Sequence, residues 1–242
     1  MLILSLGPVP PREPGDQRLK QLALDSPRHR TVLEALARLI ERFGARHGVI
    51  GVDEQGMDPA ILEEARGRFA KAEFSPAWSI FRDVRQVKGV EEIRRLRESV
   101  RIIEAAMEAA LRMAAPGVTE RELHLEFEAT ISRMGGRPNY TILSFGERGA
   151  RGNVFGSDRA LRRGDLIRFD IGCWFQGYYS DIARNAILGE PSPHQRTCYE
   201  AILAGHRAAL ALIRPGAMPK DIFEVGLAAA RQGGLPHLRR HH

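Results

Sequence analysis

Residues 164–184 read GDLIRFDIGCWFQGYYSDIAR and have the composition of two β-strands joined by a turn. Two segments rich in β-forming residues, Leu166–Ile171 and Tyr178–Ala183, flank the turn-forming triplet Phe175–Gln176–Gly177. Two such segments joined by a short glycine-containing turn are typical of a β-hairpin. The stretch therefore predicts two antiparallel strands.

Each predicted strand carries one aspartate, Asp170 on the first and Asp181 on the second. Because side chains alternate faces with period two, the loop residues determine how the aspartates pair. A Phe175–Gln176 loop places Asp170 opposite Asp181. A Gln176–Gly177 loop pairs Asp181 with Gly172, one diagonal step from Asp170 on the same face. In either register the carboxylates lie roughly 5–8 Å apart.

Two ionised carboxylates at that separation repel each other unless a cation or a proton lies between them. Hard oxygen ligands suit a pair of divalent metal ions about 3.5–4 Å apart, so the hairpin predicts metal binding by Asp170 and Asp181. The spacing leaves an alternative open. Arg168 shares the Asp170 face and Arg184 is close to Asp181, so a solvated hairpin with surface ion pairs would show the same pattern.

Composition limits the class of protein. A chain of 242 residues with 43% hydrophobic content can bury a core in one or two domains. It has no apolar run of the ~20 residues that a membrane span needs, and Met1–Leu6 lacks a basic leader. Cys173 and Cys198 are the only cysteines and belong to no metal-binding motif. These features predict a cytoplasmic protein without a membrane partner.

The net charge of +6 does not indicate a nucleic-acid partner. Most arginines alternate with glutamates, as in residues 91–98, which read EEIRRLRE. On a helix this mixture gives a solvated face with i,i+4 pairs rather than a stripe that binds phosphates. We therefore expect no nucleic-acid binding.

Residues 1–87 predict a small α/β unit. Helical periodicity extends over residues 31–43 and 59–69, and Asp58 is the expected N-cap of the second helix, with proline at its first position. A short buried strand is predicted at Val49–Val52, between the two helices. A further strand is expected to begin at Glu73.

Two amphipathic helices are predicted before the hairpin. The first extends over about residues 90–113, and the second begins after Thr119, which forms a capping box with Glu122. The predicted core stripe of the first helix is Ile93, Leu96, Val100, Ile103, Met107 and Leu111. The predicted buried face of the second is Leu123, Phe127, Ile131 and Met134.

An internal repeat follows the hairpin. With an offset of 99, residues 104–117 align with 203–216 and share six identities in 14 positions, including the helix-ending Pro116–Gly117 and Pro215–Gly216. This indicates a duplicated helix–helix–hairpin unit of about 100 residues. The second copy ends at His242, before its own hairpin, so we expect a chain that is truncated at its C-terminal side.

The segments GDLIRFDIG at 164–172 and GYYSDIAR at 177–184 resemble the pita-bread metallopeptidases, the family of creatinase, prolidase and aminopeptidase P. The likeness is greatest to the Xaa-Pro dipeptidase and aminopeptidase branch. It implies an α/β (α+β) fold with two domains. Residues 1–87 would form part of a creatinase-like N-terminal α/β domain. Residues 88–242 would form an incomplete pita-bread catalytic domain, its first half plus the start of the second.

The resemblance also implies a chemistry. Five ligands would hold two Mn²⁺, Co²⁺ or Zn²⁺ ions: Asp170 and Asp181 here, then one histidine and two glutamates from the second half. A water that bridges the metals would attack the N-terminal bond of a short peptide substrate, with Xaa-Pro dipeptides as the expected class. A homodimer formed through the N-terminal unit is a further expectation.

Two departures from the family pattern shape the expectation for this chain. The sequence ends before the histidine ligand, and His237, His241 and His242 are not expected to replace it. Asn153 occupies the position where relatives carry a substrate-contacting histidine. It is either a substrate-binding residue that cannot shuttle protons or a loop residue favoured by a turn.

We therefore expect an inactive fragment of a metallopeptidase, with no catalytic residue of its own beyond the metal ligands. The alternative is a non-catalytic pita-bread module that binds peptides or proteins. Retention of both aspartates favours the enzyme, because a binding scaffold gains nothing from two clustered negative charges.

Overall fold

A computed structural model describes residues 29–152 and 154–239 of the chain. The chain divides into two compact units, with the boundary between Lys88 and Gly89. This boundary lies one residue from the domain boundary that the sequence predicts. Helices and strands occur in both units, so the predicted mixed α/β class is confirmed. Among the described residues, none of the helices is both long and apolar enough to cross a membrane.

The described part of the first unit has three α-helices and two strands. In chain order they are α1 (Val32–Arg42), β1 (Val49–Val52), α2 (Pro59–Arg68), β2 (Glu73–Pro76) and α3 (Trp78–Gln86), with a 3₁₀ turn at Ala45–His47. Strands β1 and β2 pair in parallel. Both predicted helix starts are confirmed. Thr31 accepts a hydrogen bond from the Glu34 N–H at 3.1 Å, and Asp58 accepts one from the Ala60 N–H at 2.9 Å.

The described part of the second unit contains a three-stranded antiparallel sheet and two helix pairs. Its elements are α4 (Val90–Met113), α5 (Glu120–Arg133), β3 (Arg137–Phe145), β4 (Leu166–Phe175), β5 (Tyr178–Ile187), α6 (Pro193–Leu212) and α7 (Pro219–Gln232). The strand order is β3-β4-β5. A 3₁₀ segment, Gly146–Arg151, follows β3. The predicted capping box is present, because Thr119 and Glu122 exchange hydrogen bonds at the start of α5.

Helices α4 and α5 cover one face of this sheet and form the core with it. Phe127 of α5, Phe145 of β3 and Phe169 of β4 are fully buried together. Removing such side chains from water stabilises the fold by about 1.5–3 kcal/mol each. Alternation along β4 sends Phe169 and Ile171 toward the helices, and Asp170 toward the opposite face. The core therefore determines which face carries the aspartates.

The predicted core stripe of α4 is confirmed for three of its six residues, Ile103, Met107 and Leu111. Of its six members only Ile103 is fully buried, Met107 and Leu111 pack at the edge of the core, and Ile93 is 38% exposed. The buried residues of α4 are Ser99, Ile102, Ile103, Ala106 and Ala110. Alanine and serine allow the helix to approach the sheet closely. The spacing of the large apolar residues therefore predicted a face of α4 that is rotated relative to the face that contacts the sheet.

The helix pair of the predicted duplication is present in the structure. Helices α5 and α7 begin 99 residues apart, at Glu120 and Pro219, and also end 99 residues apart. Gly117 and Gly216, the paired glycines after the first helix of each copy, have φ of +94° and +85°. A left-handed conformation favours glycine, which explains why both helix stops retain it.

Helices α6 and α7 approach each other more closely than a side chain would allow. A Cβ placed on Gly205 would lie 2.6 Å from the carbonyl oxygen of Gly226 and 3.0 Å from the Cβ of Ala230. The two helix backbones are therefore in near contact at Gly205, and any side chain there must push them apart.

We expect Gly205→Ala to lower the free energy of unfolding by about 1–3 kcal/mol, the usual cost of overpacking. Hydrogen exchange should locate the loss in α6 and α7. The control is Gly67→Ala in α2, where an added Cβ meets nothing within 4 Å. That change should raise stability by roughly 0.5–1 kcal/mol. Equal effects of the two substitutions would contradict the close packing.

Candidate metal centre

The β4–β5 hairpin adopts the second of the two registers that the sequence allows. Its loop is Gln176–Gly177, with φ of +47° and +91°, the pattern of a type I′ turn. Gly172 pairs with Asp181, whereas Asp170 pairs with Ala183. Asp170 and Asp181 thus lie on the same face of the sheet, one diagonal step apart.

Buried polar contacts hold the hairpin against α4. The hydroxyl oxygens of Ser99 and Ser180 lie 2.8 Å apart, and the backbone N–H of Cys173 donates to Ser180 at 3.2 Å. Near the turn, the Tyr178 hydroxyl donates to Glu92 at 2.8 Å. These contacts lie on the helix side and orient the aspartates toward the other side of the sheet.

Tyr140 of β3 contacts Asp181 and was not among the residues predicted from the sequence. It pairs with Gly172, and its hydroxyl donates a hydrogen bond to Asp181. A Cβ on Gly172 would lie 2.7 Å from the Tyr140 ring, so glycine is needed for the ring to cross β4. Burial and then the Asp181 carboxylate raise the pKa of Tyr140, which keeps the phenol protonated and donating. The pairing of β3 with β4, which a single sequence does not show, was the missing signal.

Asp170 is held by the neighbouring arginine on its own strand. The Arg168 Nη2 atom donates to Asp170 Oδ2 at 2.7 Å, and both side chains are only 26–28% exposed. The other terminal nitrogen of Arg168, Nη1, donates to the carbonyl oxygens of Gly149 and Gly152 at 3.0 and 3.1 Å. One guanidinium therefore joins the first aspartate to the segment that follows β3.

The ion-pair alternative to metal binding holds for one aspartate and not for the other. Arg184 donates to Glu104 at 3.4 Å and to the Ala183 carbonyl at 3.0 Å. Its partner is therefore Glu104 of α4, rather than Asp181. Asp181 instead accepts the neutral hydroxyl of Tyr140, which leaves its negative charge in place.

A fully buried carboxylate anchors the base of the loop that follows β3. Glu120, the first residue of α5, accepts hydrogen bonds from the Phe145 N–H at 2.9 Å and the Ser157 N–H at 3.0 Å. It also pairs with Arg148 at 3.0 Å. A buried charge is tolerated only with such complete pairing. Glu120 has no local signal in the sequence, because its partners lie 25–37 positions away.

Asp170 and Asp181 have the donor chemistry that a divalent metal ion would use. Carboxylate oxygens are the ligands that hard divalent cations prefer, and Asp170 and Asp181 present them on one face. Among residues 29–152 and 154–239, no group of three or more His, Cys, Asp or Glu side chains could hold a metal ion. His237 is exposed, and Asn153, His241 and His242 lie outside the described residues. The pair therefore suits a metal site in its chemistry, and the described ligand set is incomplete.

A second ion-pair cluster joins the loop to the start of β4. Arg159 donates to Asp165 at 2.6 Å and 2.9 Å, and to Glu147 at 2.9 Å and 3.1 Å. Side chains of Arg159 and Asp165 are 14% and 13% exposed. The hydrogen bond from Arg159 lowers the pKa of the Asp165 carboxyl below its usual value. It also lowers the pKa of Glu147, to about 2.

This pairing makes stability depend on pH. Because the pKa of Asp165 is depressed in the folded state, its contribution is present above the unfolded pKa of about 3.9 and is lost as pH falls through the folded value. We expect Asp165→Asn to cost roughly 2–3 kcal/mol at pH 7, less than the ~3–5 kcal/mol for a fully buried ion pair, because this pair is only partly buried. The difference from wild type should shrink below about pH 4.

Denaturant unfolding from pH 7 to pH 3 measures this dependence. Asp158→Asn is the matched control, because the Asp158–Arg121 pair is exposed, with 81% of the Asp158 side chain accessible. That variant should unfold like wild type at pH 7. An Asp165→Asn effect that stays constant over the pH range would contradict the assignment.

Comparison with known proteins places this geometry in a family. Residues 94–242, more than half of the chain, match the model of metallopeptidase family M24. The Xaa-Pro dipeptidase of Pyrococcus horikoshii is 29% identical over 197 residues, which cover 80% of this chain and 56% of that protein. The Xaa-Pro dipeptidase of Pyrococcus furiosus is 28% identical over 177 residues, or 72% of this chain and 51% of that protein. The chain spans about half the length of these relatives.

Solved structures agree in fold. An Xaa-Pro dipeptidase from Bacillus anthracis superimposes with a TM-score of 0.80 at 23% identity, over 93% of this chain and 65% of that one. The prolidase from Pyrococcus furiosus gives a TM-score of 0.71 at 25% identity, over 85% and 60%. The hairpin motif, the pita-bread fold and the family match agree, and the chain belongs to metallopeptidase family M24.

Proposed function

We propose that this chain provides two metal ligands, Asp170 and Asp181, of a peptidase of the Xaa-Pro type. We also propose that the loop of residues 146–152 borders its substrate site. The observation that carries the proposal is the placement of Asp170 and Asp181. They lie on one face of the sheet, one diagonal step apart, on the side opposite the core. Membership of family M24 supports reading this pair as metal ligands rather than as surface acids.

The proposed site holds two divalent ions, Mn²⁺, Co²⁺ or Zn²⁺, when its ligand set is complete. Bound metal would lower the pKa of a coordinated water and polarise the scissile carbonyl. The roles of this chain's own residues follow from their contacts. Asp170 and Asp181 supply oxygen ligands, and the Tyr140 hydroxyl holds the Asp181 carboxylate in orientation.

The proposed substrates are short peptides, with Xaa-Pro dipeptides as the expected class. Several relatives are named Xaa-Pro dipeptidases. The loop of residues 146–152 lies against Arg168 beside Asp170, and it leads directly to Asn153, our candidate substrate contact. Hydrolysis at this site would therefore place the substrate between the loop and the metal ligands. A homodimer and a cytoplasmic location stay predictions from the sequence.

One observation favours a second candidate, the non-catalytic binding module. The Arg168–Asp170 ion pair already neutralises one aspartate without a metal ion. A protein that had lost its metals would gain from such a pair. Asp181 has no guanidinium partner among its described contacts. Its uncompensated charge favours the metal-binding enzyme over the binding module. Metal content of purified protein distinguishes the two candidates.

We expect Asp170→Asn and Asp181→Asn each to reduce Mn²⁺-dependent hydrolysis of Xaa-Pro dipeptides by about 10²-fold or more, because each removes a ligand charge. The assay uses a form of the protein extended to the length of the relatives. Asp158→Asn, an exposed acid paired with Arg121, is the control and should retain activity. Full activity in either ligand variant would refute the assignment.

We expect residues 1–242 alone to release no product from Xaa-Pro dipeptides, even with added Mn²⁺. Two carboxylates leave at least one metal ion undercoordinated, and the described residues offer no third ligand. Chromatographic detection of free proline checks this expectation. The extended form serves as the positive control, and turnover by the 242-residue chain would show that the ligand set is complete without further residues.

A further inference from the structure

The setting of Arg168 has a consequence beyond the proposed peptidase chemistry, although it rests on Asp170 being a metal ligand. Arg168 and Asp170 point to the same face of β4, two residues apart, and their side chains meet at 2.7 Å. The cross-strand neighbours of Asp170 are Ile142 and Ala183, which are apolar. Arg168 is therefore the cation that faces Asp170 from the neighbouring positions of the sheet.

A divalent ion at Asp170 would compete with this guanidinium. Arg168 holds the Oδ2 oxygen of Asp170, one of the two oxygens that a metal could use. A metal ion binds carboxylate oxygen at about 2.0–2.6 Å, so ion and guanidinium would lie within a few ångströms of each other. Like charges at that distance repel strongly at a partly buried site. Metal binding therefore favours withdrawal of Arg168.

Withdrawal of Arg168 removes two further hydrogen bonds. Its Nη1 atom donates to the carbonyl oxygens of Gly149 and Gly152, which face the strand at 3.0 and 3.1 Å. Gly152 has φ of +70° and ψ of −123°, a conformation open to glycine, and its carbonyl oxygen also accepts the Val154 N–H at 3.1 Å. The tip of the loop thus depends on the same side chain that neutralises Asp170.

The base of the loop is anchored independently. Glu120 binds the Phe145 N–H and the Ser157 N–H from inside the core, without any contribution from Arg168. Loss of the Arg168 contacts should therefore loosen residues 149–152 and leave the ends of the loop in place. Both ends of the loop are therefore held by Glu120, and only its tip at residues 149–152 contacts Arg168.

We propose that Arg168 is a positioning residue that couples metal occupancy at Asp170 to the order of the 149–152 loop tip. Without metal, Arg168 neutralises Asp170 and holds the tip against β4. A divalent ion displaces the guanidinium, and the tip beside the candidate substrate contact becomes free to rearrange. The coupling is reciprocal, so that an ordered tip opposes metal binding.

Mn²⁺ binding to the 242-residue chain tests the first half of the coupling, with free Mn²⁺ quantified by electron paramagnetic resonance. Arg168→Met should bind Mn²⁺ about tenfold more tightly than wild type, equivalent to ~1.4 kcal/mol. Arg168→Lys, which retains the charge, should restore weak binding. Arg184→Met is the matched control, since Arg184 pairs with Glu104, and it should bind like wild type. A purely structural role for Arg168 would predict weaker binding in Arg168→Met.

Hydrogen exchange in wild-type protein tests the second half and needs no variant to fold. Saturating Mn²⁺ should speed exchange in residues 149–152 by at least about threefold. The amides of Phe145 and Ser157, which Glu120 holds, should not change. Unaltered exchange in the tip with Mn²⁺ bound would overturn the coupling.

The outcomes separate this inference from the proposed function. Equal or weaker Mn²⁺ binding by Arg168→Met, with binding abolished in Asp170→Asn, would overturn the coupling and leave Asp170 as a metal ligand. Failure of both wild type and Arg168→Met to bind Mn²⁺ would overturn the coupling in this chain, whereas hydrolysis by the extended Asp170→Asn and Asp181→Asn variants would still decide the metal assignment. Tighter binding by Arg168→Met, lost again in the Asp170→Asn double variant, supports both.

Discussion

The register of the β4–β5 hairpin is the constraint on which the candidate site depends, because a shift of one residue would turn the acids of one strand toward the core. Two features hold it. The Gln176–Gly177 turn has positive φ at both positions, which matches the twist of the strands it joins. The buried serine pair, Ser99 and Ser180, then fixes the hairpin to α4 on the helix side. With the register set, Asp170 and Asp181 share the outer face.

Much of this arrangement was predictable from local sequence. The hairpin, both aspartates and their shared face follow from alternation and turn chemistry, which act over a few residues. The capping box of Thr119 and Glu122 and the helix stops of the repeat are equally local. Membership of the family, inferred from the GDLIRFDIG and GYYSDIAR segments, was confirmed by the comparisons. Whether Asp170 and Asp181 bind metal stays a prediction.

The parts that were not predictable depend on contacts between distant segments. Tyr140 reaches Asp181 across Gly172 only because β3 pairs with β4 in one particular register. The predicted face of α4 was only partly correct, because the residues in closest contact with the sheet include the small Ala106 and Ala110, which the predicted stripe omitted. The buried Glu120 carboxylate is stabilised by Arg148 and Ser157, which are distant from it in the sequence. These contacts form only once the distant segments have packed together, so local sequence patterns do not predict them.

The two helix pairs of the repeat show how far duplicated segments can diverge. At the offset of 99, Phe127 corresponds to Gly226 and Ile131 to Ala230. The first pair sends these bulky side chains into a core shared with a sheet, whereas the second brings its backbones together over glycine. The repeat retains the length of the second helix of each pair, 14 residues in both, but not the volume of its side chains. Transplanting residues from one copy to the other would therefore disturb both, and design by repeat averaging is unsuited to this chain.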